Sequence, residues 1–359
     1  MRLPLFQCLS PRSTKEALEM LDRHKGKVKI IAGGTDIINR LRQRLIAPQY
    51  VMTLKGVPNL SGIKRKKGQF LIPAATTLRE IVESPDIAGF AAGIAESAGL
   101  VAAPPIRNVA TVGGNLLQNT RCLYYNQSEL VRKAAPPCLK QGGKSCAALK
   151  GGTRCFSVYQ GDLAPSLIAF GAKAVLKKAG ASRTIPVLEL FSRNGRHPLT
   201  IGDDEILTDI IVPIPTGAYA SSYQKLRLRS GLEYPLVSSS VFLSLSKEGV
   251  IDQARVVVGA VGPAPLVVEG AAAFLVGKKP AEAEVEKAAA SALSAAFSTS
   301  TSAVLLPTRN RDAPSMTVGA GPTAPTTTRA WSITPCLDRE RKTDEETRGY
   351  SRPDLSLSF

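Results

Sequence analysis

Asn108-Val-Ala-Thr-Val-Gly-Gly-Asn-Leu-Leu-Gln-Asn119 and, further on, Gln160-Gly-Asp-Leu163 bracket the stretch that decides how this chain is read. Between them lies an excursion with four of the six cysteines, Cys122, Cys138, Cys146 and Cys155. A Gly-Gly turn lacks Cβ atoms, so a ligand can approach bare backbone N–H groups, which suits a phosphate-bearing molecule. Four cysteines on one loop suit a metal or a cluster. Side by side, the two features point to electron transfer between them.

Upstream, a second turn of the same kind appears. Lys29-Ile-Ile-Ala32 reads as a short buried strand that runs into Gly33-Gly34-Thr35-Asp36, followed by a helical pattern through Ile37, Ile38, Leu41 and Leu45. Strand, Gly-Gly-Thr, helix is a phosphate-cradling layout, although neither the Walker loop nor Gly-x-Gly-x-x-Gly is present. Two such turns point to a pyrophosphate held between loops; two unrelated tight turns are the plainer alternative. Around them, Ser13 with Glu16 and Thr77 with Glu80 read as capping boxes that open helices. Strands are expected at Tyr50–Leu54 and Gln69–Pro73, and an Ala-rich helix from Ile87 to Ala98.

The excursion, residues 120–157, is basic: Arg121, Arg132, Lys133, Lys140, Lys144, Lys150 and Arg154 face one acid, Glu129. Its cysteines are separated by 15, 7 and 8 residues, with no Cys-x-x-Cys, so neither zinc-ribbon nor bacterial ferredoxin spacing fits. Placement is the stronger signal, because only Cys8 and Cys336 lie elsewhere and exposed unliganded thiols oxidise.

Downstream, Leu167 to Leu176 reads as a helix turning into a strand, and Glu205 to Ile214 as a strand. More strands follow at Ser222–Leu228, Leu236–Leu245 and Ala254–Ala260, then helices near Leu266–Leu275 and Ala281–Phe297. Alternation followed by antiparallel strands implies an α+β fold. The boundaries fall at 1–56, 57–216 and 217–297. Residues 298–359, rich in Ser, Thr and Pro, read as a disordered or out-of-frame tail. No run of about 18 apolar residues exists to span a membrane, and no signal peptide opens the chain, so a cytoplasmic protein is expected. The net charge of +17 calls for an acidic partner, yet no nucleic-acid motif accompanies it.

Ile31-Ala-Gly-Gly-Thr-Asp36, Ile106-Arg-Asn-Val-Ala-Thr-Val-Gly-Gly-Asn115, Gly161-Asp-Leu-Ala-Pro165, Tyr223-Gln-Lys-Leu-Arg-Leu-Arg229 and Tyr234-Pro-Leu-Val-Ser238 together resemble the FAD-binding subunits of the molybdenum hydroxylase (xanthine dehydrogenase) family. The insertion with Arg121-Cys-Leu-Tyr-Tyr-Asn-Gln127 is similar to one branch, the beta subunit of 4-hydroxybenzoyl-CoA reductase. The resemblance implies a p-cresol methylhydroxylase-type FAD fold of two subdomains plus a C-terminal α+β domain. It assigns FAD to Lys29, Ile30, Ile31, Ala32, Gly33, Gly34, Thr35, Asp36 and Ile37, and to Ala102, Ala110, Thr111, Gly114 and Asn115. It gives Asp162 the ribose or pyrophosphate edge, Leu207 the isoalloxazine face and Lys225 the N1/O2 edge. It also gives a [4Fe-4S] cluster to Cys122, Cys138, Cys146 and Cys155.

The implied function is electron input to an oxidoreductase complex that removes a para hydroxyl from an aromatic acyl-CoA, a step of aromatic degradation. Its partners would be an acidic ferredoxin, a 2Fe-2S small subunit and a molybdopterin-binding large subunit, with no catalytic residue in this chain. Two other readings compete. One is an oxidative hydroxylase subunit that passes electrons to NAD or quinone; the other is a non-redox scaffold whose cysteines bind zinc.

Overall fold

A computed structural model of the chain describes residues 3–149, 151–229 and 232–280. The helix expected from Ala281, the tail and Cys336 lie outside these. The first unit runs β1 (Gln7–Leu9), α1 (Thr14–Arg23), β2 (Val28–Ile31), α2 (Ile37–Arg42) and β3 (Tyr50–Thr53), and its three strands form a parallel sheet in the order β1-β3-β2. Ala17, Leu18 and Leu21 of α1 bury against Val28, Met52 and Leu54. Ser13 caps α1 by accepting from Glu16 N–H, but the Glu16 carboxylate reaches Arg12 N–H at 2.6 Å, one residue outside the expected box.

The second unit contains β4 (Lys64–Lys66), β5 (Gln69–Pro73), α3 (Leu78–Glu83), α4 (Pro85–Phe90), α5 (Ala92–Gly99), α6 (Pro104–Arg107), α7 (Val112–Leu116), α8 (Glu129–Lys133), α9 (Leu163–Ala169), β6 (Lys173–Lys178), β7 (Ala181–Pro186) and β8 (Ile206–Pro213). Its antiparallel sheet is ordered β4-β5-β8-β6-β7, with helices packed on one face. The Thr77–Glu80 capping box is complete. The single Ala-rich helix foreseen from Ile87 is instead two, broken at Ala91, whose φ is −143°. The break sets Gly93 against the Ser222 backbone, where a Cβ would lie 3.2 Å from two main-chain atoms.

The third unit is a meander of β9 (Ala218–Leu226), β10 (Val237–Leu245), β11 (Ile251–Gly259) and β12 (Leu266–Val267), closed by α10 (Glu269–Leu275). Leu266 and Val267, expected to open a helix, pair as a short strand with Val258 and Val257. Phe242 and Val257 join the core of the second unit, so the two units share apolar packing. Among the described residues no helix is long and apolar enough to cross a membrane.

Candidate functional site

The two Gly-Gly turns meet. A Cβ on Gly33 would lie 1.9 Å from the Val109 carbonyl oxygen, so only glycine lets the first turn close against the second. Gly34 takes a φ of +79°, again glycine's region. Between the turns and the 196–207 segment opens a cleft of about 420 Å³. Lys29, Ile30, Ala32, Gly33, Gly34, Thr35, Asp36, Ile37, Thr111, Gly114 and Leu207 line it. Ile31 and Ala110 stand just behind that wall, while Ala102, Asn115, Asp162 and Lys225 fall outside its lining.

The turns differ in what they offer. Among the described residues, the N–H groups of Gly33, Gly34 and Thr35 have no acceptor and remain for an incoming anion. In the second turn they are taken: Gly113 N–H donates to the Ala74 carbonyl at 2.8 Å and Gly114 N–H to Thr111 Oγ1 at 3.0 Å. Thr111 therefore caps α7, and the bare amides expected there are absent because the cap takes one and the Ala74 carbonyl the other. The first turn, the glycine cradle and the elongated cleft fit a pyrophosphate-bearing flavin.

Residues outside the cleft have other partners. Asn115 closes the neck of the insertion: its Oδ1 accepts from Leu163 N–H at 3.4 Å, and its carbonyl accepts from the Tyr159 hydroxyl at 3.2 Å. Ala102 has a φ of 44°, held by Arg107, which donates to the Val101 carbonyl at 2.9 Å and the Ala102 carbonyl at 3.3 Å. Asp162 and Lys225 bind each other at 3.1 Å, and Tyr223 donates its hydroxyl to Asp162 at 2.6 Å. Burial raises the Asp162 pKa, while Lys225 and Tyr223 pull it back.

The four insertion cysteines, far apart in sequence, line one pocket with Tyr125, Lys140 and Phe156. The pocket holds about 10 Å³, the room of roughly one water. Among the described residues no three His, Cys, Asp or Glu side chains gather tightly enough to hold a single metal ion. A zinc ion with Zn–S bonds of about 2.3 Å needs such a tight group; a cubane holds its thiolates further apart. Four thiols around one pocket are the donor type that iron–sulfur clusters take. Burial pushes the Cys155 thiol pKa up, opposed by Ser157 N–H and Lys140.

One tie fastens the insertion to the flavin turn and two more hold it to neighbouring segments, and the sequence reading missed them. Arg121 Nη2 sits 2.7 Å from Asp36 Oδ1, with Arg40 Nη1 3.6 Å from Asp36 Oδ2. Lys140 donates to Asn119 Oδ1 and Thr120 Oγ1, each at 2.9 Å, and burial lowers its pKa to about 8. Arg132 donates to the Arg44 carbonyl at 2.9 Å, while Arg44 pairs with Glu129 at 3.3 Å. The available signal was Arg121 directly before Cys122; nothing in the sequence named Asp36 as its partner. The 196–202 part of the cleft wall, including His197, also went unread.

Comparison with known proteins agrees with this geometry. The family described as FAD binding domain in molybdopterin dehydrogenase matches residues 4–215, and the CO dehydrogenase flavoprotein C-terminal domain matches 221–304. The nicotinate dehydrogenase FAD-subunit of Eubacterium barkeri is 24% identical over 274 residues, covering 76% of this chain and 80% of that one. The carbon monoxide dehydrogenase medium chain of Hydrogenophaga pseudoflava is 24% identical over 291 residues, covering 81% and 86%. Among solved structures, the carbon monoxide dehydrogenase of H. pseudoflava that lacks the Mo-pyranopterin moiety superposes with a TM-score of 0.65 at 23% identity, covering 82% of this chain and 88% of that one. Quinoline 2-oxidoreductase from Pseudomonas putida 86 gives 0.63 at 22%, covering 81% and 87%. With the profile spanning both turns and the cleft between them, this chain belongs to the FAD-binding subunit family of the molybdenum hydroxylases.

Proposed function

We propose that the chain is the flavin and iron–sulfur subunit of a molybdenum-dependent, 4-hydroxybenzoyl-CoA reductase-like complex in the cytoplasm. The observation that carries this reading is the convergence of Cys122, Cys138, Cys146 and Cys155 on one pocket beside the flavin cleft. When bound, a [4Fe-4S] cluster and FAD supply one- and two-electron chemistry in sequence. The residues of this chain hold, orient and shield them. The four thiolates are the iron ligands, and the free amides of Gly33, Gly34 and Thr35 meet the pyrophosphate. Leu207, buried in the cleft wall, offers an apolar surface for the flavin ring. Asp162 and Lys225, as an ion pair, brace the neighbouring domain seam; Lys225 acts on the flavin edge only if FAD binding draws it from Asp162.

The insertion is also the docking face for the donor, a small acidic protein of the ferredoxin kind. Leu123, Tyr124, Leu130 and Val131 are exposed there, next to Arg132 and Lys133. An apolar centre with a basic rim suits an acidic partner. Downstream partners are a 2Fe-2S small subunit and a molybdopterin-binding large subunit, where the aromatic acyl-CoA loses its hydroxyl.

A second reading has support of its own. The relatives named above are dehydrogenases and an oxidoreductase, which favours an oxidative subunit that passes electrons to NAD or quinone. Anaerobic purification with iron, sulfide and flavin assays separates the two. Flavin with about four irons per chain, reducible by ferredoxin, supports the reductive reading. Flavin alone, reducible by NADH, leaves the oxidative one.

A further inference from the structure

Asp36 stands at the head of α2, yet its carboxylate caps nothing. Arg121 and Arg40 hold it instead, at 2.7 and 3.6 Å. Lys140 lies close enough to feel the charge of both arginines. Two buried arginines therefore share one carboxylate, with a third cation, Lys140, nearby. Arg40 and Asp36 line the flavin cleft, whereas Lys140 lines the cysteine pocket. Both arginines are largely buried, and Arg121 Nη1 has no hydrogen-bond partner. A buried excess of positive charge is costly unless an anion offsets it.

We propose that Arg121 is a positioning residue through which the insertion grips the first phosphate turn, and that Arg40, Arg121 and Lys140 are a shared counter-charge for the anionic groups of both pockets. On the flavin side the anion is the pyrophosphate. On the cysteine side it is the ligating thiolates with their cluster, and this half rests on the function proposed above. The insertion then has two roles, because it also sets the electrostatics and the shape of a turn outside itself. Fixed positive charge favours the more negative, reduced state of a nearby redox group, so removing it lowers the reduction potential.

The test uses the full chain with Arg121→Gln and Arg121→Lys. FAD is titrated into deflavinated protein and followed by flavin fluorescence. A charge-assisted contact of this kind corresponds to roughly a tenfold change in affinity. Arg121→Gln is expected to bind FAD about tenfold more weakly, and Arg121→Lys to stay within about threefold of the parent. In iron-loaded protein, a redox titration read by electron paramagnetic resonance should place the Gln variant's cluster at lower potential, with the Lys variant unchanged. Equal FAD affinity in the parent and Arg121→Gln overturns the proposal. So does an Arg121→Lys variant that binds FAD about tenfold more weakly than the parent, a readout that also decides the matter if Arg121→Gln does not fold. Should the parent contain no iron, the function proposed above fails, while the FAD titration still judges the grip of Arg121 on the turn.

Discussion

Lys225 Nζ lies 3.1 Å from Asp162 Oδ2, and the two side chains are only 1% and 6% exposed. The pair spans two units, with Asp162 at the head of α9 and Lys225 on β9. Removing one partner leaves the other charged and buried, at a cost of about 3–5 kcal/mol. Lys225→Met or Asp162→Leu should each lose about that much in urea unfolding. The double replacement should cost less than the sum, since no lone charge remains. Strictly additive losses would show that the two do not act as a pair.

Gly33→Ala is expected to abolish FAD binding and to lower stability by about 1–3 kcal/mol or more. Its new methyl would strike a backbone oxygen, which cannot rotate away. Retention of stoichiometric flavin by the purified variant would contradict the close contact between the turns.

A cluster held by Cys122, Cys138, Cys146 and Cys155 would tie together points spread along residues 122–155. Loading should therefore reorganise the 122–155 loop and change its protection against limited proteolysis. Serine at any one of the four positions should lose that change together with the iron. Cys8→Ser should keep both, because Cys8 sits exposed on β1, outside the insertion. Identical digestion of iron-free and iron-loaded protein would refute the coupling.

Lys140 gives a pH signature in the iron-free chain. Its pKa falls from 10.5 to about 8 because burial disfavours the ammonium, so the unfolded chain binds more protons between those values. Its contribution is fully present above 10.5 and is lost as pH falls through about 8. The stability difference between the parent and Lys140→Met should accordingly move in the parent's favour from pH 8 to 10.5, by at most about 3 kcal/mol. A difference that is flat with pH would mean Lys140 is solvated.

Local features were legible from the chain itself. Thr77 and Glu80 are neighbours in sequence, and their capping box was read in full. Gly33-Gly34 after an apolar strand marked a turn that needs glycine, as the Val109 contact shows. Long-range choices were not legible. Asp162 reads as a ligand-binding carboxylate, and only the fold reveals Lys225 and Tyr223 beside it. The amides of Gly113 and Gly114 looked free because their acceptors, the Ala74 carbonyl and Thr111 Oγ1, emerge only when α7 forms against β5. The break at Ala91 depends on β9, more than a hundred residues later.

The seam between α5 and β9 carries a practical consequence. Tyr219 hydroxyl reaches the Phe90 carbonyl at 2.9 Å, Ser221 Oγ accepts from Gly93 N–H at 3.0 Å, and Glu96 accepts from Tyr223 N–H at 2.7 Å. Lys225 adds a bond to the Leu100 carbonyl at 3.0 Å. A recombinant fragment cut after Ile214 would strip the partners from all four, and it would bare the apolar side of α5 and α9 to solvent. The meander therefore works as a lid bolted onto the helical layer, and expression trials gain nothing by shortening the chain at that junction.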